Sequence, residues 1–154
     1  MRAFFFTYLY MEILFPLLDK TTGVCTDTRK IKRNCLFIAL KGDNFNGNEY
    51  AQVAIDKGAK YAIVDEKEKA NNQNIFYVNN GLLFLQKLAN FHRHKFDIPI
   101  IGITGSNGKT STKELIQTIL SKQFNVLYTH GNLNNHIGVP LTLLRLNNKH
   151  DIAI

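Results

Sequence analysis

The run "IPIIGITGSNGKTSTKELIQTIL" over 98–120 constrains this chain more than any other feature. An apolar stretch passes through a glycine-rich turn into a segment of helical periodicity, the strand–loop–helix context of a phosphate cradle. The first turn of such a helix presents unpaired N–H groups and the positive end of its macrodipole, so anions settle there. Gly105 and Gly108 allow backbone conformations and close approach that a side chain would block. Lys109 is placed to reach the β- and γ-phosphates, and the Thr110 hydroxyl to serve as a ligand to Mg2+. Ser106, Asn107 and Ser111 complete a loop without an acidic residue, so a triphosphate meets no repulsion. The standard spacing of this motif asks for a glycine where Ile103 stands, so spacing alone leaves open a glycine turn with a solvated lysine.

Alternation of strand and helix signals surrounds this run. "CLFIAL" (35–40), "YAIVDE" (61–66) and "IFYVNN" (75–80) read as short strands bounded by turn residues. "NEYAQVAIDKGA" sets Tyr50, Val53, Ala54 and Lys57 at helical spacing and ends on Gly58, a C-cap. "GLLFLQKLANFHRHKF" (81–96) predicts a helix with Leu82, Leu85, Leu88, Ala89 and His92 on one side. Pro99 breaks the pattern, and a boundary is expected near residue 97. Beyond it, 98–105 reads as a fully buried strand of a parallel sheet. A helix over 109–123 with Leu115, Ile119 and Leu120 as its apolar residues follows, then a strand in "NVLYTHG". A helix in "VPLTLLRL" with Pro140 near its first turn and a strand begun by "DIAI" complete the run. The expectation is an α/β chain: a small N-terminal α/β substrate-binding domain, then the first half of a mostly parallel, doubly wound central domain containing the phosphate loop. A half-sheet of this kind would leave apolar surface open, so the chain is expected to be the front part of a longer protein.

Composition narrows the partners. The net charge of +7 divides into +4 over 1–97 and +3 over 98–154, without a basic tail or a helix-long stripe. Spread positive charge without a nucleic-acid-binding motif suits small phosphorylated ligands better than DNA or RNA. Cys25 and Cys35 have neither metal-site nor disulfide-framework spacing, and are expected to be small, buried or half-buried thiols in a reducing compartment. No stretch reaches the roughly eighteen consecutive apolar residues that span a bilayer. The opening "MRAFFFTYLYMEILF" imitates a signal peptide, but Glu12 interrupts it and no small-residue cleavage site follows. Residues 1–10 are therefore expected to be an upstream extension before a start at Met11, and the protein cytoplasmic.

Together, "GITGSNGKTSTKELI", "THGNLNNHIGVPLTLL" and "CTDTRKIKRNCLFIALKGDNFNGNEYAQVAIDKGAKYAIVDE" resemble the Mur ligase family over roughly residues 11–154. That family uses a shortened loop, T-G-[ST]-N-G-K-T, so the absence of glycine at Ile103 is part of the resemblance. It implies a UDP-sugar-binding domain over 11–97 and the start of an ATP-binding domain over 98–154. It also implies an ATP- and Mg2+-dependent ligase that activates a carboxylate as an acyl phosphate for attack by an amine. The "GNLNNHIGVPLTLL" stretch is most similar to the member that joins D-alanyl-D-alanine to UDP-MurNAc-tripeptide in peptidoglycan precursor synthesis.

Under the resemblance, Lys109 is the catalytic cation and Gly105 to Ser111 the nucleotide cradle. Thr26, Asp27, Thr28 and Arg29 fall on the UDP-sugar loop, where Arg29 suits a diphosphate. Asp27 bonding its own backbone in a turn is compatible with that role. Asn132, Asn134, Asn135 and His136 are candidates for the substrate side of the cleft, with an Asn-rich helix cap as the equal alternative. Asn46 and Asn48 are turn formers beside a uracil pocket, and His92 and His94 surface or interdomain residues. An acidic metal ligand, a later lysine and a closing domain would lie beyond Ile154. The chain alone is expected to bind weakly and to be inactive, and the complete protein to be a monomer. Another Mur-type ligase, folylpolyglutamate synthase, or a non-catalytic nucleotide-binding module are the alternatives.

Overall fold

The computed structural model describes residues 13–131 and 133–154, so the expectations for residues 1–10 and Asn132 lie outside the described residues. The chain divides into two compact units, up to Leu85 and from Gln86 onward.

The first unit is built on a four-stranded, wholly parallel sheet. Its strands are β1 (Val24–Cys25), β2 (Leu36–Ile38), β5 (Tyr61–Val64) and β6 (Ile75–Tyr77), in the order β1-β2-β5-β6. Register is set by Val24 opposite Leu36, Phe37 opposite Ala62 and Ile63 opposite Phe76. A short antiparallel hairpin, β3 (Lys41–Gly42) with β4 (Phe45–Asn46), interrupts the crossover after β2. Helix α1 (Ala51–Asp56) covers one face, and α2 (Gly81–Arg93) begins after β6. The α1 face that packs is Ala51 and Ala54, while Tyr50 and Val53 are exposed. Helical spacing groups Tyr50 and Val53 with Ala54, and the structure separates them. The two alanines reach the sheet because small side chains let a short helix lie close over Phe37, Ala62 and Val64.

Along α2, Leu85, Leu88 and Ala89 are buried as the periodicity predicts. Phe84 is buried with them and meets Phe15 at 5.7 Å between ring centroids. Cys35 is buried, which pushes its thiol up, and Cys25 is half-buried, as expected for cysteines serving as small apolar residues.

Asn48, a turn former by its sequence context, is only 1% exposed. Its Nδ2 donates to Asp65 Oδ1 at 2.7 Å, and its Oδ1 accepts from the Asp65 N–H at 2.9 Å. Asp65 Oδ2 in turn accepts from the Gly81 N–H. One buried amide thus joins the hairpin, the end of β5 and the start of α2, each polar atom finding a partner inside.

The second unit holds α3 (Lys109–Leu120), β7 (Val126–Leu127), α4 (Gly138–Leu143) and β8 (Ile152–Ala153). β7 and β8 are parallel, and Ile100 bridges in parallel to Ala153 on the other side of β8. The Ile101 N–H donates to the Ala153 carbonyl at 2.8 Å. The segment leading into the glycine loop is therefore a neighbour of β8, not of the next strand in sequence, β7. Such a reversal of order puts a crevice at the carboxyl ends of parallel strands.

Two expectations are corrected here. The run 98–105 is extended but pairs only at the Ile100 bridge, and Ile100 is 38% exposed, so it is not a fully buried strand. Its neighbour β8 is only two residues long, which leaves the run a partner at a single bridge. On α3, Leu115 and Ile119 are exposed, and the residue the helix buries is Lys113. Among the described residues, no helix is long and apolar enough to cross a membrane.

Candidate phosphate-binding site

The glycine loop gets its shape from two left-handed residues. Gly105 has φ +140 and Gly108 φ +77, conformations that L side chains rarely adopt, and Gly108 is the N-cap of α3. Among the described residues, none of the amides from Gly105 to Ser111 has a backbone acceptor in the chain; the first N–H so paired is that of Thr112, to the Gly108 carbonyl at 2.8 Å. These amides lie at the positive end of a twelve-residue helix, the chemistry that holds an anion.

Lys109 sits over this cradle, its ammonium donating to the Gly105 carbonyl and, at 3.4 Å, to Ser106 O. Ser106, Asn107, Thr110 and Ser111 are exposed around it.

A cavity of about 350 Å3 adjoins the loop. Lys109, Thr110, Lys113 and Asn134 contribute polar groups, and Ile101, Leu127 and Leu143 form part of an apolar lining. The structure thus brings Lys109, Thr110 and Asn134 to one cavity. Asn135 instead caps α4, its Oδ1 accepting from the N–H groups of Ile137 at 3.1 Å and Gly138 at 2.7 Å. His136 is exposed, and its carbonyl accepts from Gln86 Nε2 at 3.2 Å.

Thr26 to Arg29 lie in the first unit. Asp27 accepts from the Arg29 N–H at 2.9 Å, and the Arg29 guanidinium closes on the same carboxylate through Nε at 2.9 and 3.2 Å and Nη2 at 2.9 Å. The turn expected from Asp27 is present, and it pre-orients an arginine whose side chain is 85% exposed. The Arg29 side-chain hydrogen bond, followed by its backbone N–H, lowers the Asp27 carboxyl from 3.8 to about 2. Because the folded value is depressed, this turn's contribution is complete above pH 3.8 and is lost as pH falls through about 2. A carbon-detected titration should place the Asp27 midpoint near 2, and in Arg29→Ala the midpoint should return toward 3.8. A wild-type midpoint already at the ordinary value would mean that the pair does not form in solution.

His92 is partly buried, its Nε2 2.9 Å from the Leu146 carbonyl, while His94 Nδ1 lies 2.7 Å from Asn90 O. Among the described residues, no group of three or more His, Cys, Asp or Glu is arranged to hold a metal.

Known proteins resemble this chain in sequence and in fold. Residues 20–93 match the Mur ligase family catalytic domain, and residues 103–154 match the Mur ligase middle domain. A UDP-N-acetylmuramoyl-tripeptide–D-alanyl-D-alanine ligase from Synechocystis is 43% identical over 88% of this chain and 30% of its own length. The ligase of the same name from Escherichia coli is 43% identical over 86% of this chain and 29% of its own. A crystal structure of a MurF ligase from Thermotoga maritima in complex with ADP superposes with a TM-score of 0.78 at 31% identity, covering 89% of this chain and 31% of that one. The chain thus spans under a third of the length of these relatives.

Proposed function

Because the chain belongs to the Mur ligase family, we propose that it carries the UDP-sugar-binding domain and the start of the ATP-binding domain of a cytoplasmic ligase. That ligase joins D-alanyl-D-alanine to UDP-MurNAc-tripeptide. The observation that carries the reading is the run of amides from Gly105 to Ser111, none with a backbone acceptor among the described residues, beside the Lys109 ammonium and a cavity that Lys109, Thr110 and Asn134 line.

In the reaction, a substrate carboxylate takes the γ-phosphoryl group of ATP, giving an acyl phosphate and ADP. The amine of the dipeptide then attacks the acyl carbon, inorganic phosphate and a proton leave, and an amide remains. The amides of the loop bind the phosphate chain and fix its direction. Lys109 exchanges its carbonyl partners for phosphate oxygens and holds positive charge where negative charge builds up during transfer. Thr110 Oγ1 would be one ligand of a Mg2+ ion whose chemistry is to neutralise the phosphates. Asn134 is placed to hold a polar group of the acyl substrate across the cavity. The domain boundary of this reading lies near residue 97, with 11–97 serving the UDP-sugar and 98–154 the nucleotide.

Two measurements test it. In the protein carried to the relatives' full length, steady ADP release should require the UDP-tripeptide and D-alanyl-D-alanine together. Release with a single amino acid in place of the dipeptide would point to another ligase of the family, and release with neither substrate would point away from ligation. Arg29→Ala should weaken binding of the UDP-substrate more than binding of ATP, since a rigid two-pronged donor to a diphosphate is removed. Equal losses for both ligands would take Arg29 out of the site.

A further inference from the structure

Among the described residues, Lys113 is the only charged residue that is buried, at 5% exposure. It follows Lys109 by one turn of α3, so both lysines face the same cavity. An ammonium taken out of water is costly unless its three N–H donors are all matched. Here two hydrogen bonds and an ion pair hold it: Nζ donates to the Thr129 carbonyl and to the Gly131 carbonyl at 3.2 Å, and lies 2.9 Å from Glu114 Oε1 in an ion pair. The Tyr128 ring lies 5.8 Å from the same nitrogen.

With its donors committed to protein acceptors, Lys113 does not serve as a second phosphate ligand. What it grips is the backbone just after β7, and that backbone runs on to Asn134 on the cavity wall and Asn135 at the cap of α4. The Thr129 N–H is fixed separately, to the Ile154 carbonyl at 3.2 Å. From this we infer that Lys113 is a positioning residue. It fastens the stretch after β7 to the nucleotide helix, so the Asn134 side of the cavity keeps its register with the phosphate loop. The functional meaning of this clamp rests on the phosphate site proposed above; the clamp itself does not.

The test is amide hydrogen exchange on this chain, comparing wild type with Lys113→Met, which removes every donor, and Lys113→Gln, which keeps a neutral amide donor on a shorter stem. Without ligand, exchange at 129–131 and 133–136 should quicken about tenfold or more in Lys113→Met, as hydrogen bonds from a charged donor are lost, and by less in Lys113→Gln. Amides of β5 and β6 should be unchanged. With Mg·ATP saturating each protein, wild type should slow at both 105–112 and 129–136, and Lys113→Met at 105–112 alone. Exchange after β7 equal to wild type in either variant overturns the proposal. So does an acceleration spread evenly over 100–154, which would make Lys113 core filling only. If Lys113→Met does not fold, Lys113→Gln decides on the same readout. A wild type whose 105–112 amides ignore ATP would defeat the phosphate reading, while the ligand-free comparison would still decide the clamp.

Discussion

Replacing Lys109 by alanine should lower ATP-dependent amide formation about 100- to 1000-fold in the full-length protein, the usual cost of losing a positioned charge at a developing oxyanion. Among the described residues its ammonium hydrogen-bonds only the carbonyls of Gly105 and Ser106, four and three residues back, so the unfolding transition should move little. The pairing of lost turnover with intact stability is diagnostic. Near-normal turnover in the variant would remove the loop from the chemistry. A matching loss of stability would assign Lys109 to holding the loop together.

Gly138→Ala should destabilise the second unit by about 2–3 kcal/mol, the upper range for overpacking against atoms that cannot yield. A Cβ there would stand 2.5 Å from the Leu133 carbonyl oxygen and 2.6 Å from its carbon. These are backbone atoms held by the turn that Asn135 caps, so no side-chain rotation relieves the clash. Chemical denaturation checks the size of the effect. A wild-type midpoint would mean that the chain before α4 does not pass this close to Gly138. Because Asn134 lies within that turn, the variant should also weaken whatever ligand the cavity holds.

What the sequence disclosed, and what it concealed, follows from the range of the forces involved. The glycine loop and the helix after it were legible because their determinants are local: two glycines three residues apart, a lysine at the first helical position and a periodic segment after it. Asn135 was legible to the extent that an Asn-rich stretch before a helix advertises a cap. The first unit's strands were readable as apolar runs between turn residues. Burial was harder to read, since it depends on what lies opposite. Isoleucines at 100, 101 and 103 look like the core of a sheet, yet their segment pairs only at the Ile100 bridge, and Ile100 itself is exposed. Leu115 and Ile119 look like a packed face and are exposed.

Lys113 shows the converse. A lysine within a helix reads as solvated, and its carbonyl partners lie sixteen and eighteen residues further on. The one sequence signal that could have drawn attention to it is its spacing of four from Lys109. Asn48 was hidden in the same way, by a partner at Asp65 that no local pattern announces.

The most direct test of the account is a titration of the 15N-labelled chain with Mg·ATP, followed amide by amide. The phosphate-loop reading predicts saturable shifts centred on Gly105 to Thr110, where unpaired N–H groups meet the helix N-terminus, with the Val24–Tyr77 sheet amides unmoved. Shifts that never saturate, or that fall on the first unit and spare the loop, would contradict it.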